Sequence, residues 1–474
     1  MAASTVHERS TPHLSIRAVG VILALASVLG ACTLLPTTPS GNTTAPLTSC
    51  NRPSPVTTTP AFPLRVAGGA RHLVDAAGRP FFMQGDAAWS LMAQLSRESV
   101  ERYLDDRRTC GFNTILVSLL EHKFATNAPS NIYGEAPFTS PGSFATPNAA
   151  YFAHVDWVIQ RAAAKGFLVL AVPAYLGYGG GDEGWYSEML ASGPDALRAY
   201  GRFLGARYRS STNVIWVQGG DYDPPRKDLV DAIAQGIAET APGSLQTAHT
   251  APESTARGVW GDRAWLALDN VYTYGDVYAP SAGAYNGSAR PFFLIESNYE
   301  NEHGVGTARL RTQAYHAVLT GAMGHVFGNN PVWHFDGPGL YDVGVSWQAA
   351  LGSSGSQSMA HLGDLLTRRA WWTLRPDLDG RFLVGGAGSG TDRVAAAVAS
   401  DRTFAIAYLP SARAVSVDLG QLTGPSVRLT WFDPSSGLTQ PAAGPVPASG
   451  RVDLSPPGTN SAGDPDWVLV VENA

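Results

Sequence analysis

From Pro63 onward the chain alternates short β-rich apolar runs with amphipathic stretches. The runs are Phe81–Gly85, Thr114–Leu119, Phe167–Val172, Val214–Gln218, Ser244–Thr247, Asp269–Tyr274, Phe292–Ile295 and Gly324–Phe327. Between them lie Arg97–Thr109, Tyr151–Lys165, Pro194–Tyr208, Leu229–Glu239 and Ala308–Thr320, each patterned as a helix. Ser96 before Arg97-Glu98, and Pro194-Asp195, are helix start signals. Strand–helix alternation repeated eight times predicts a parallel sheet closed into a (β/α)8 barrel over residues 63–355. After Pro376 the texture changes to Val394–Val398, Phe404–Tyr408, Ala414–Asp418, Val427–Phe432 and Trp467–Val471, parted by Gly, Pro and Asp turns. That predicts a small antiparallel β-sandwich, with Ser356–Trp371 as a helix bridging it to the barrel, so the second unit spans 356–474.

The first 62 residues follow neither pattern. Arg9, His13 and Arg17 precede the uncharged run Ala18–Ala31, too short to span a bilayer comfortably and flanked like a signal peptide. Leu29-Gly30-Ala31-Cys32 resembles a bacterial lipobox, which implies export and a lipid on Cys32; an ordinary secretory signal is the alternative, and it also exports the chain. Residues 32–62 are rich in Thr, Pro and Ser and are expected to be a tether. Setting Cys32 aside leaves Cys50 and Cys110, either one disulfide in an oxidising compartment or two free thiols.

Composition narrows the partners. Thirty-three Lys+Arg against 39 Asp+Glu give a net charge of −6, so the chain is not built to coat nucleic acid. Only 15% of residues are charged, which excludes a disordered solvating chain and a coiled coil. The expectations are a monomer, a membrane contact through the lipid anchor, and no cofactor or metal.

Barrel enzymes carry their chemistry at the C-terminal ends of the strands, and the polar residues there are informative. The first strand ends in Asp86 and Trp89; His122 follows the second and Tyr175 the third. Gly219-Gly220-Asp221 follows the fourth strand and His249 the fifth, and Tyr274 comes off the sixth. The seventh leads into Glu296 and Tyr299, with Glu300 as a rival carboxylate; the eighth gives His325 and Trp333. Carboxylates and aromatics on one rim suit a sugar, which needs flat rings for its C–H faces and polar groups for its hydroxyls. Asp86, Trp89, His122, Tyr175, His249, Tyr274, Tyr299, His325 and Trp333 are therefore the candidate substrate contacts. Each has a structural alternative, as a cap, an ion-pair partner or barrel-mouth packing.

Seven of these segments resemble the apiosidase-like glycoside hydrolases. They include Gly85-Asp86-Ala87-Ala88-Trp89-Ser90-Leu91, Asn131-Ile132-Tyr133-Gly134, Asn213 to Asp221, Glu296 with Tyr299-Glu300, and Gly321 to Gly328. The resemblance implies a (β/α)8 catalytic domain with Asp221 as acid/base and Glu296 as nucleophile. Thr273-Tyr274-Gly275-Asp276 stands where the family often carries Gln-Ser-Gly-His, so glycoside cleavage is implied more firmly than apiose. The family's C-terminal domain is sometimes labelled collagen-binding; a packing role for the sandwich is the expectation here.

Glycosidic cleavage needs one carboxylic acid to protonate the leaving oxygen and one carboxylate to attack or to activate water. Placement on strands four and seven resembles the retaining barrel glycosidases, which implies a covalent glycosyl-enzyme. Endo-acting β-glycanase or arabinofuranosidase activity on the same scaffold, or a non-catalytic glycan- or matrix-binding surface lipoprotein, are the alternatives. Other signals lead nowhere. Gly179-Gly180-Gly181-Asp182-Glu183-Gly184 fits a dinucleotide fingerprint formally, but its two acids would repel a pyrophosphate. There is no His-Glu-x-x-His and no Gly-x-Ser-x-Gly.

Overall fold

The computed structural model describes Cys50 and residues 59–474. The signal segment, the lipidation candidate Cys32 and most of the tether lie outside the described residues. No helix among the described residues is long and apolar enough to cross a membrane.

Eight parallel strands form the barrel: β1 (Met83–Ala87), β2 (Thr114–Ser118), β3 (Leu168–Val172), β4 (Val214–Gly219), β5 (Gln246–His249), β6 (Asp269–Tyr272), β7 (Phe292–Glu296) and β8 (Gly324–Asn329). Each is followed by a helix: α1 (Arg97–Thr109), α2 (Ala149–Ala164), α3 (Tyr186–Tyr208), α4 (Lys227–Thr240), α5 (Ala256–Trp260), α6 (Tyr278–Gly287), α7 (Thr307–Leu319) and α8 (Ser354–Thr367). The order around the sheet is β5-β4-β3-β2-β1-β8-β7-β6. Between β5 and β6 the ladder is replaced by individual bonds. The backbone N–H of Ala267 donates to Gln246 O at 2.9 Å, Thr247 Oγ1 to Leu268 O at 2.9 Å, and Asn270 Nδ2 to Ala248 O at 2.6 Å. Strands such as β3 are buried along their whole length, because helices cover one face and the barrel interior the other.

Two differences from the sequence expectation matter for the site. β5 begins two residues later than Ser244, so His249 is the last residue of the strand rather than a loop residue beyond it. The helix expected as a bridge occupies the eighth helical position of the barrel, and its Met359 O accepts from Gln84 Nε2 of β1 at 2.6 Å. Ser96 Oγ caps α1 by accepting from Ser99 N at 3.3 Å. Gly193, at φ 73°, breaks α3 just before Pro194. Cys50 and Cys110 form a disulfide, with Cα atoms 5.1 Å apart, that pins the chain to the C-terminal end of α1.

The C-terminal unit pairs a six-stranded antiparallel sheet with a three-stranded one. The strands are β9 (Leu374–Pro376), β10 (Leu383–Gly385), β11 (Ala395–Ala399), β12 (Phe404–Leu409), β13 (Val415–Asp418), β14 (Ser426–Phe432), β15 (Thr439–Pro447), β16 (Arg451–Leu454) and β17 (Trp467–Asn473). The larger sheet is covered on both faces. Ala405, Ala407 and Leu409 of β12 join the sandwich's own core, whereas Phe404, Ile406 and Tyr408 join the barrel's. Trp431 and Phe432 divide the same way, and both are buried. Tyr408 stacks on Tyr315 of α7, ring centroids 4.5 Å apart and planes 4° from parallel.

Candidate active site

β4 ends in Gly219 (φ 84°) and Gly220 (φ 142°), and Asp221 itself sits at φ 49°. A Cβ on Gly220 would lie 2.3 Å from the Tyr175 ring, so only glycine admits the turn there. A left-handed aspartate is strained backbone, the kind that persists where surrounding structure fixes a functional side chain. The turn aims Asp221 into a cavity of about 380 Å³ at the C-terminal mouth of the barrel. Tyr175 donates its hydroxyl to Asp221 Oδ2 at 2.7 Å.

Across the mouth, β7 delivers Glu296, whose side chain is only 7% exposed. Its Oε2 accepts from His249 Nε2 at 2.8 Å and its Oε1 from the Tyr274 hydroxyl at 3.1 Å. Burial and the nearby Asp221 charge push the Glu296 carboxyl up from the usual range, and the bonds from His249 and Tyr274 oppose them. His249 lies between the two acids, fully buried. Its Nδ1 accepts the backbone N–H of Asp221 at 3.2 Å and stands 3.6 Å from Asp221 Oδ1. One donor atom from each of Asp221, His249 and Glu296 lies within 4.8 Å of the others, a spacing that suits a cation, but both imidazole nitrogens are occupied by the bonds just described.

The cavity wall brings together Trp89, Tyr175, Tyr274, Tyr299 and Trp333 with both carboxylates. Trp89 Nε1 donates to the Tyr299 hydroxyl at 2.8 Å, which fixes two flat faces at the mouth. Four of the expected contacts lie elsewhere. Asp86 is fully buried and turned toward α1, where it accepts from the Tyr103 hydroxyl at 2.6 Å with Arg107 Nη1 at 3.8 Å. Burial pushes its carboxyl up to about 6 against the pull of Arg107 and Tyr103. The pleat of β1 is the reason: a side chain at that register faces the helices, not the mouth. His325 is buried away from the cavity, and burial lowers its imidazole to about 4. His122 is drawn to Glu188 Oε1 of α3 at 3.1 Å and to the edge of Trp185. His249 lies behind the cavity lining, bonded to the Glu296 carboxylate and to the backbone N–H of Asp221. The rival Glu300 is also removed: Asn329 Nδ2, Ser353 Oγ and Gly355 N donate to it at 3.1, 2.5 and 2.8 Å, tying it to the start of α8.

The cavity also has walls that strand-end reading does not reach: Tyr178, in a short 3-10 turn, and Glu183, Glu302, His303, Leu340 and Tyr341, on loops. Glu302 accepts from Trp333 Nε1 at 2.9 Å between two non-glycine residues in left-handed conformation, Asn301 (φ 65°) and His303 (φ 50°). Burial pushes its carboxyl up to about 7. Tyr178 and Glu183 belong to the glycine-rich loop that mimics a dinucleotide fingerprint; Gly179 N donates to Asp221 O at 3.2 Å, so the loop braces the carboxylate's backbone. Thr273 Oγ1 and the N–H groups of Tyr274 and Gly275 donate to Glu253 at 2.5, 2.9 and 3.3 Å. That grip fixes the loop after β6.

Comparison with known proteins identifies the family. The profile of the apiosidase-like catalytic domain matches residues 67–373, and a second profile, "Putative collagen-binding domain of a collagenase", matches residues 378–472. A glycoside hydrolase family 5 structure from Bacteroides vulgatus is similar, at 25% identity and a TM-score of 0.75 over 86% of this chain and 93% of that one. So is a structure described as a glycoside hydrolase, at 25% identity and a TM-score of 0.76 over 88% and 99%. No curated protein matches. With two carboxylates meeting at the mouth of a (β/α)8 barrel and the profile matching over most of its length, the chain belongs to the apiosidase-like family and is a glycoside hydrolase.

Proposed function

We propose that the enzyme cleaves a glycosidic bond in a side chain of a plant or microbial polysaccharide with retention of configuration. Asp221 is the acid/base and Glu296 the nucleophile. The observation that carries this is their placement in one cavity, with an oxygen of each within 4.8 Å of the other. Retaining glycosidases hold their carboxyl groups about 5–5.5 Å apart, and inverting ones about 6.5–9.5 Å, to admit a water. Asp221 protonates the leaving oxygen as Glu296 attacks the anomeric carbon, forming a glycosyl ester on Glu296. Asp221 then removes a proton from the water that hydrolyses the ester. The Tyr175 hydroxyl orients Asp221, and Tyr274 and His249 hold the two oxygens of Glu296 in line. Trp89, Tyr299 and Trp333 supply faces for the sugar's C–H surface.

Export and anchoring belong to the same proposal, supported by the Ala18–Ala31 run and the lipobox-like Leu29-Gly30-Ala31-Cys32. A screen of aryl glycosides and plant and bacterial wall polysaccharides, with product analysis, tests the activity. Release of a sugar by the wild type, abolished in Asp221→Asn, is expected; release that persists in Asp221→Asn contradicts the assignment. For the anchor, Cys32→Ala is expected to move the protein from the membrane fraction to the soluble one.

A further inference from the structure

We infer that His249 is a positioning residue coupling the two carboxylates: as the Nε2–H tautomer it donates to Glu296 while accepting the backbone N–H of Asp221. The inference rests on the assignment of Asp221 and Glu296 as the catalytic pair. The tautomer follows from the bonds. An N–H can only donate, so Nδ1, which meets the Asp221 N–H at 3.2 Å, must carry a lone pair. The ring proton is then on Nε2, 2.8 Å from Glu296 Oε2. One imidazole thus fixes the angle of the nucleophile and the strained backbone of the acid/base, and a slight rotation would misplace both.

The ring cannot rotate freely. Trp89 packs against it at 5.3 Å and Tyr272 at 4.8 Å, and its side chain is 0% exposed. The charged and titratable groups that face it are Asp221 from the end of β4, Glu296 from β7 and Tyr272 from β6, whose hydroxyl is bonded to that of Tyr274 at 2.7 Å. The donated bond favours the carboxylate over the carboxylic acid, so His249 also keeps Glu296 ionised against burial and against Asp221. No glycoside need touch His249 for either effect.

Two measurements test this. In the full-length wild-type protein labelled with ¹⁵N-histidine, His249 is expected to show a ring proton on Nε2 and none on Nδ1, with the Nε2–H signal moved in Glu296→Gln. A proton on Nδ1 with a bare Nε2 overturns the inference, whatever glycoside the enzyme takes. The second is kinetic, on an aryl glycoside that the wild type cleaves. His249→Leu is expected to lower kcat about a thousandfold with KM within about threefold. The acidic limb of its kcat/KM profile should move to higher pH, because Glu296 has lost the donor that keeps it ionised. His249→Gln, which can still donate to Glu296, is expected to recover about a hundredfold of that loss and return the limb toward wild type. An unmoved limb, or a KM increase as large as the kcat loss, overturns the positioning role.

Discussion

Two of the regions where this molecule buries charged groups have opposite chemistry. Beneath the sandwich, Arg311 of α7 is 1% exposed and is neutralised by Asp466 at 2.7 Å and by Asp464 at 2.7 Å. Asp466 also accepts from the Tyr408 hydroxyl at 2.9 Å, and Asn460 Nδ2 donates to it at 2.8 Å. The one guanidinium there holds both carboxylates, the buried Asp466 and the partly exposed Asp464. At the barrel mouth two carboxylates are brought together instead, one of them on strained backbone, and only an imidazole lies between them. The first arrangement joins two domains. The second raises the energy of the folded state and is tolerated because a bond-breaking reaction requires one proton donor and one nucleophile on either side of the same atom.

The contrast predicts mutational effects of opposite sign. Asp221→Asn and Glu296→Gln should each lower kcat by about 10⁴-fold or more while leaving Tm unchanged or higher, since each relieves like-charge repulsion. Steady-state kinetics beside a thermal melt checks both halves. Arg311→Met should do the reverse: it strands Asp466 in a buried site and costs about 3–5 kcal/mol of stability, measured by denaturant unfolding, with kcat at low temperature within about twofold. The six-stranded sheet would then lose its hold on α7 before the barrel loses its site.

A smaller loss is expected from opening the disulfide. Cys50 and Cys110 are 60 positions apart, and the double Cys→Ser variant should lose about 2–4 kcal/mol, read by the same unfolding curves. Activity should survive, because the bond lies at the C-terminal end of α1, away from the strand ends that carry Asp221 and Glu296. The smallest effect concerns Glu302. Its folded carboxyl is raised to about 7 from an ordinary 4.5. The stabilisation it gives by binding a proton in the folded state is therefore full below about 4.5 and lost as the pH rises through about 7. In Glu302→Gln that loss is absent, so the Tm difference, variant minus wild type, should grow between those two pH values and level off above them. A flat difference would place the group's titration elsewhere.

The barrel is legible because strands such as β2, β3 and β7, covered on both faces, run as near-continuous apolar segments, and strand and helix patterns alternate eight times. Asp221 and Glu296 were readable because each closes such a segment and the surrounding motifs are specific. Which way a strand-end side chain points was not readable. Asp86 faces the helices by the parity of the pleat, which depends on register that tertiary pairing decides, and His325 lies near the start of β8, away from the mouth. β5 lies two residues further along than its pattern predicts, so His249, bonded to Glu296 and to the Asp221 backbone, closes the strand instead of following it. Glu183, Glu302 and Tyr341 come from loops, where periodicity carries no information. In the sandwich, Pro441, Pro445 and Pro447 argue against a strand, yet β15 forms there; it pairs on one side only, with β14, and an edge tolerates prolines.

The proposed attack of Glu296 on the sugar, across from Asp221, can be trapped. Its most direct test is inactivation with a 2-deoxy-2-fluoroglycoside of the sugar the enzyme releases, followed by digestion and peptide mass mapping. The account predicts one covalent glycosyl label, on Glu296, accumulating in Asp221→Asn only when the leaving group needs no protonation. A label on Glu302 or Glu300, or turnover that inverts the anomeric configuration without any label, would contradict it.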